Sequence, residues 1–253
     1  MTGTPSVFLD AHQVLAGPLP EEVSMEPIIE GVPFAYEKTL FDGADGFFAV
    51  WACDAGVFPR VKDRRGSFMY IISGEATITD DDGTSHELTA GSVLVLPFGW
   101  VGTWHIRETI RKVYLHTSPV PPLPDAIVAS AFMPATQVLE GALPIEVPME
   151  PVTRGARTAK EAVVFDGPDG HCAVWECEPG VYPRVKDQRG SFMYIISGEA
   201  TITDRDGTSH ELTAGSVIAL PYGWVGTWDI HRTIRKVYVH STPSSDQPRQ
   251  DTT

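Results

Sequence analysis

Arg60 and Lys62 stand one residue apart, and the same pair recurs as Arg184 and Lys186. A guanidinium clamps an oxyanion through two parallel N–H bonds, and a lysine drawn out of water loses basicity and becomes a base or a Schiff-base donor. The six tryptophans form two equivalent triplets, Trp51, Trp100, Trp104 and Trp175, Trp224, Trp228. Indoles beside cations suit a carboxylate or phosphate carried on a flat or apolar body. Tyr222 adds a phenol next to a proline, a position from which it can act as a general acid. The sequence holds neither a serine nucleophile elbow nor a phosphate loop of the GxxxxGK type. Its three cysteines, Cys53, Cys172 and Cys177, lack metal-type spacing; Cys53 and Cys177 read as small core residues of a protein kept in a reducing cytoplasm.

These residues sit in two copies of one unit. Residues 60–118 laid on 184–242 differ at 11 of 59 positions, leaving 59 − 11 = 48 shared. Upstream, Val14-Leu15 pairs with Val138-Leu139, Met25-Glu26-Pro27 with Met149-Glu150-Pro151, and Trp51 with Trp175. A repeat of this length means tandem domains. The expected division is 1–120 and 121–243, joined through the proline-rich stretch 118–124 and followed by a disordered polar tail, 244–253. Within the first copy, residues 47–52, 68–72, 76–79, 93–96 and 111–116 read as strands, Asp82-Gly83 as a hairpin turn, and no stretch as a convincing helix. Many short strands with glycine turns predict an all-β sandwich or barrel. On the last strand Lys112, Tyr114 and His116 share one face and Val113 with Leu115 the other. An apolar face turned inward puts that polar trio outside, in a structural role. His86 and His210 follow the hairpin and are expected to face solvent. The copies differ where Phe58 becomes Tyr182, Phe98 becomes Tyr222, His105 becomes Asp229 and Glu108 becomes Arg232.

Composition narrows the class. The 253 residues carry 19 Lys+Arg against 33 Asp+Glu, a net charge of 19 − 33 = −14, which argues against a surface that tracks nucleic-acid phosphates. A hydrophobic content of 42% with 21% charged residues excludes global disorder, and 23 Gly with 21 Pro favours turns over long helices. No apolar run reaches a membrane span, and Met1-Thr2-Gly3-Thr4-Pro5 lacks the basic start and apolar stretch of a secretory signal, so neither a leader nor membrane contact is expected.

Residues 67–76, Ser-Phe-Met-Tyr-Ile-Ile-Ser-Gly-Glu-Ala, resemble the first conserved motif of cupins, and residues 91–100, Gly-Ser-Val-Leu-Val-Leu-Pro-Phe-Gly-Trp, resemble the second. The continuation through Trp104 and the Arg-Lys-Val-Tyr at 111–114 is similar to the cupin subfamily that includes ureidoglycine aminohydrolase domains. The resemblance implies two tandem jelly-roll barrels, a bicupin arranged like a fused dimer, and a homodimer of such chains. It also implies a metal held by two His and a Glu of the first motif and a His of the second. Here those positions fall on Arg60, Lys62, Ser67 and Gly102, and in the other copy on Arg184, Lys186, Ser191 and Gly226. Two cations repel a metal ion, and serine and glycine replace neither carboxylate nor imidazole, so both sites read as metal-free and without cofactor.

Positions that face the barrel interior in the family put Arg60, Lys62, Ser67, Met69 and Ile71 inward. Trp100 and Trp104 flank Gly102 at two-residue steps and share its face, while Trp51 reads as core. Trp104 either stacks on a ligand or fills the volume of the missing metal, closing an inert barrel. Arg60 and Lys62 either clamp an anion or pair with Asp63 and Glu75 on a solvated edge.

Three functions compete. In a metal-independent lyase, dehydratase or isomerase acting on a small anionic metabolite, Lys62 and Lys186 are base or anchor, Arg60 and Arg184 the clamp, and Tyr222 the proton donor. Ser67, Trp100, Trp104, Ser191, Trp224 and Trp228 then contact substrate. A non-catalytic protein would bind the same anion in the same pocket. A Mn-dependent aminohydrolase of ureidoglycine type would need ligands from His86, His105 or His116.

Overall fold

Runs of β-branched and aromatic residues broken by glycine form strands, because alternate side chains can then be buried on opposite faces. The computed structural model describes residues 4–117 and 128–243; the stretch 118–124 and the tail 244–253, expected to be connector and disordered end, lie outside them. The first half holds β1 (Val7–Leu9), α1 (Ala11–Ala16), β2 (Glu21–Val23), β3 (Ala35–Gly43), β4 (Gly46–Cys53), β5 (Gly56–Val61), β6 (Gly66–Asp80), β7 (Ser85–Leu88), β8 (Val93–Leu96) and β9 (Val101–Thr117). The second holds β10 (Ala131–Met133), α2 (Ala135–Glu140), β11 (Ile145–Pro148), β12 (Arg154–Gly155), β13 (Thr158–Gly167), β14 (Gly170–Cys177), β15 (Gly180–Val185), β16 (Gly190–Asp204), β17 (Ser209–Thr213), β18 (Val217–Leu220) and β19 (Val225–Ser241). The described residues are all-β apart from two six-residue helices that the sequence pattern does not announce. Each is under two turns long and buries a single residue, Val14 or Val138, too little for a periodic signal.

The segments at 68–72 and 76–79 are one strand, β6, interrupted by a bulge. At the bulge Gly74 takes φ 86°, and a Cβ there would lie 2.4 Å from the Thr109 carbonyl oxygen, so only glycine fits. Before the bulge β6 pairs with β8 and the end of β9; after it, with β7 and the start of β9. Strand β9 pairs first with β5 and then with β4. The two long strands thus run through both layers and close a jelly-roll barrel, which β16 and β19 repeat in the second half.

The halves also exchange strands. β10 pairs antiparallel with β8 of the first barrel, and β1 with β18 of the second. Asp80 Oδ2 fixes the incoming strand by accepting from Ser130 N at 2.9 Å and Ser130 Oγ at 3.0 Å; Asp204 Oδ2 does the same for Ser6, at 2.9 Å to each atom.

Each barrel has its own core, and a third apolar cluster lies between them. In that third cluster Tyr70 stacks on Tyr194 at 4.1 Å between ring centroids, Phe48 meets Phe192 edge-on at 5.5 Å, and Val113 and Leu115 add the outer face of β9. All three cysteines are buried and unpaired. No helix among the described residues is long and apolar enough to cross a membrane.

Candidate functional site

The outer face of β9 is covered by the second barrel, so apolar Val113 and Leu115 point outward into that contact. Strand alternation then turns Lys112, Tyr114 and His116 into the barrel. This reverses the expectation that the polar trio lies outside: the apolar face is buried, but between barrels rather than within one. The trio lines a cavity of about 160 Å³ together with Arg60, Lys62, Ser67, Trp51, Trp104 and Glu37. A matching cavity of about 200 Å³ in the second barrel is lined by Arg184, Lys186, Ser191, Trp175, Trp228, Glu161, Lys236, Tyr238 and His240.

Lys112 is the centre of the first cavity. Its Nζ lies 4.1 Å from the ring centroid of Trp51 and 4.4 Å from that of Trp104, with Met69 Sδ at 3.3 Å. Lys236 is held alike, 4.3 Å from Trp175 and from Trp228 and 3.3 Å from Met193 Sδ. Burial, with repulsion from the neighbouring Lys62, pushes the Lys112 ammonium down to about 7; burial and Lys186 do the same to Lys236. Lys62 and Lys186 come down to about 8 through burial, then through Arg60 and Arg184.

Arg60 is tethered by backbone carbonyls, Nη1 donating to Pro59 O at 2.7 Å and Nη2 to Met25 O at 3.0 Å, with its guanidinium 4.3 Å over the Phe58 ring. Arg184 donates likewise to Pro183 O at 2.7 Å and Met149 O at 3.0 Å. Among the described residues none of these six cations forms an ion pair with a carboxylate. The solvated edge with Asp63 and Glu75 is therefore not formed; these side chains line a cavity open on one side.

The polar wall opposite completes the chemistry. Tyr114 donates a short hydrogen bond to Glu37 Oε2, and Tyr238 donates one to Glu161 Oε2. Burial raises Glu37 above the ordinary carboxyl range. His116 Nδ1 and Ser67 Oγ share a hydrogen bond of 2.7 Å, while burial and then Lys62 and Lys112 keep that imidazole neutral. The twin of Ser67, Ser191, has a buried hydroxyl without a partner.

Not every residue singled out from sequence joins the cavity. Trp100 and Trp224 are fully buried and line neither one. Each donates its indole N–H at 2.8 Å to Asp80 or Asp204 and lies flat over the glycine of its motif: a Cβ on Gly102 would sit 2.3 Å from the Trp100 ring. Their role is to lock the turn before β9, so they are not ligand contacts, and their rings leave no space there for any side chain. Tyr222 is also misplaced by the sequence reading. It is 48% exposed outside the second cavity, and its backbone N–H donates to Asp45 across the contact between barrels. Trp51 is core, as expected, but also cavity wall, and Trp104 stacks on Lys112 without closing the barrel. His86 and His210 do not simply face solvent; they stack on Phe132 and Phe8 of the exchanged segments, at 4.9 Å and 5.0 Å.

A metal does not fit this donor set. The cavity offers one neutral imidazole already bonded to serine, one carboxyl bonded to a phenol, and three cations. Among the described residues no cluster of three or more His, Cys, Asp or Glu is placed to hold an ion. The geometry suits an anion instead.

Comparison with known proteins agrees with the fold. A family model described as the EutQ-like cupin domain matches twice, at residues 44–114 and 168–238. No curated protein matches the chain. Among solved structures, a protein of unknown function from Pseudomonas syringae pv. tomato superposes with a TM-score of 0.71 at 16% identity, covering 93% of this chain and 99% of that one. A putative glyoxylate-induced protein from Pseudomonas aeruginosa gives 0.67 at 12% identity over 99% and 94%, and the protein Ylba from E. coli gives 0.57 at 12% over 94% and 99%. The finer resemblance to the ureidoglycine aminohydrolase type rests on the motifs alone. With its two matched barrels, the chain belongs to the EutQ-like cupin domain family, as a bicupin.

Proposed function

We propose that each barrel takes up a small anionic metabolite, a carboxylate or a compact phosphate, and performs metal-independent acid–base chemistry of the lyase, dehydratase or isomerase type. The observation that carries this reading is the convergence on one cavity of three basic side chains, Arg60, Lys62 and Lys112, with their twins Arg184, Lys186 and Lys236, none of them in an ion pair among the described residues. An anion there supplies the missing charge, and a cavity of about 160 Å³ admits only a small one.

Arg60 and Lys62 seat the anion. Lys112, near neutrality at about 7, is the base that removes a proton from carbon next to the anionic group. The Tyr114–Glu37 pair faces the same space and returns a proton to the departing or rearranging group. Lys62 and Lys186, assigned from sequence to either role, thus become the anchors, and the catalytic lysines are Lys112 and Lys236. A protein that only binds needs the anchors and not the central lysine.

Isothermal titration calorimetry with malonate as probe, at low ionic strength, is expected to find about two anions per chain. Arg60→Gln combined with Lys62→Met removes one, and the equivalent pair in the second barrel removes the other. Absence of binding by malonate and by inorganic phosphate refutes the proposal. Near-stoichiometric Mn, Fe, Ni or Zn surviving dialysis refutes its metal-independent part. Once a substrate is found, Lys112→Met with Lys236→Met abolishes turnover if the site is catalytic and leaves function intact if it only binds.

A further inference from the structure

The cavity linings differ where Ser24 and Phe58 of the first become Pro148 and Tyr182 of the second, and a further difference lies just behind the wall. Phe47 of β4 has His171 of β14 as its twin, on the register pairs Phe47↔His116 and His171↔His240. Phe47 is inert and stacks near Tyr114 at 6.0 Å. His171 instead joins groups on three sides: its Nε2 is 3.6 Å from Glu161 Oε1 and 3.1 Å from the Tyr238 hydroxyl, and its Nδ1 is 3.4 Å from Asp166 Oδ1. Glu161 and Tyr238 line the cavity, whereas Asp166 is 73% exposed. His171 therefore bridges exposed Asp166 and the cavity-lining Glu161 and Tyr238, a link that Phe47 cannot make.

We infer that the two barrels are not equivalent: His171 loads protons from solvent into the C-terminal cavity through Glu161 and Tyr238, and the N-terminal cavity lacks this route. The inference rests on the anion-binding reading above and deepens it. The Nε2–H imidazole of His171 takes a proton at Nδ1 from solvent on the Asp166 side, the imidazolium passes its Nε2 proton to the Glu161 carboxylate, and a flip of the resulting Nδ1–H ring resets the relay.

The groups facing His171 are Glu161 and Asp166 on β13 and Tyr238 and His240 on β19. Their balance is anionic, and it holds His171 above its ordinary value, first through the Glu161 hydrogen bond and in spite of burial. Glu161 is held below its usual range although burial opposes this, because His171 and then Tyr238 donate to it. Its twin Glu37, in the barrel where Phe47 replaces the histidine, shifts the other way through burial. His240 stays neutral through burial and the adjacent Lys186 and Lys236. An anion entering the cavity next to this network draws a further proton onto His171.

The test is calorimetry of malonate binding at pH 7 in two buffers of different ionisation heat, which gives protons taken up per chain. His171→Phe, which copies Phe47, should keep two bound anions and reduce the uptake. Phe47→His places an imidazole beside Glu37 and Asp42, the twins of Glu161 and Asp166, and should increase it. In 15N spectra of wild-type protein, His171 should move toward the doubly protonated form on saturation while His116 and His240 do not. Equal uptake by all three proteins, or an unmoved His171 signal, overturns the inference and leaves the anion sites standing. Absence of malonate binding in every protein overturns the anion-binding reading and this inference with it.

Discussion

Replacing Lys112 by methionine should make the protein more stable at pH 6. The folded state lowers this ammonium from 10.5 to about 7, a shift of 10.5 − 7 = 3.5, which corresponds to about 5 kcal/mol against the charged form. The indoles of Trp51 and Trp104 offset part of this, about 1 kcal/mol each as cation–π contacts. Methionine keeps the length and apolar body of the side chain without the charge. The net gain expected is about 3 kcal/mol at pH 6, or roughly 9 °C in Tm for a chain of this size. The sign follows from linkage: between about 7 and 10.5 the unfolded lysine binds a proton that the folded one does not, so wild-type stability rises with pH through that window. The advantage of Lys112→Met must therefore be full below pH 7 and vanish near pH 10.5. Urea unfolding of both proteins at pH 6 and pH 10 measures it. A variant that is less stable at pH 6, or changed equally at both pH values, would refute the account of Lys112 as a cation kept in the cavity for a ligand.

Four further outcomes follow from particular contacts. Trp100→Phe leaves the buried Asp80 without its indole donor and should cost about 2 kcal/mol in urea unfolding, with malonate binding unchanged. Gly102→Ala drives a methyl into the Trp100 ring and the Thr79 carbonyl and should cost about 3 kcal/mol, read as a fall in Tm. Tyr222→Phe should leave malonate affinity within twofold of wild type, because the phenol lies outside the cavity. His171 has a raised folded value, so its contribution to stability is complete below 6.5 and is lost as pH climbs through that raised value; His171→Phe should destabilise more at pH 6 than at pH 8.5 in the same unfolding assay.

The repeat, the barrel class and most strands are legible in the chain because each rests on a local signal: duplicated residues, glycine turns, period-two alternation. The anchors Arg60, Lys62, Ser67 and Trp104 are legible too, since they occupy positions the cupin motifs turn inward, and the structure places all four on the cavity. Alternation alone separates the two faces of β9 but does not say which one faces inward. In a lone barrel the apolar face would be the inner one. Here the second barrel buries Val113 and Leu115 from outside, so the central lysine was assigned to the wrong side. Trp100 misled for a related reason: it precedes β9, in a turn, where strand alternation does not apply. His171 went unnoticed because position 47 lies upstream of the stretch in which the copies align almost residue for residue; continuing the same offset would have exposed the change from phenylalanine.

The exchanged strands have a consequence for synthesis. Val7 finds its partner at Ala219, 219 − 7 = 212 positions later in the chain. At ribosomal speeds of about 5–20 residues per second, β1 waits on the order of 10–40 s before β18 exists to receive it. Throughout that time Val7, Phe8 and Leu9 present an apolar strand with open hydrogen-bonding edges, and for the first part of it the first barrel also lacks β10. The first sheet is complete once β10 has been made, but the second waits until nearly all of the chain has emerged, so β1 passes through an extended period as an exposed strand edge that a barrel closed by its own residues would avoid.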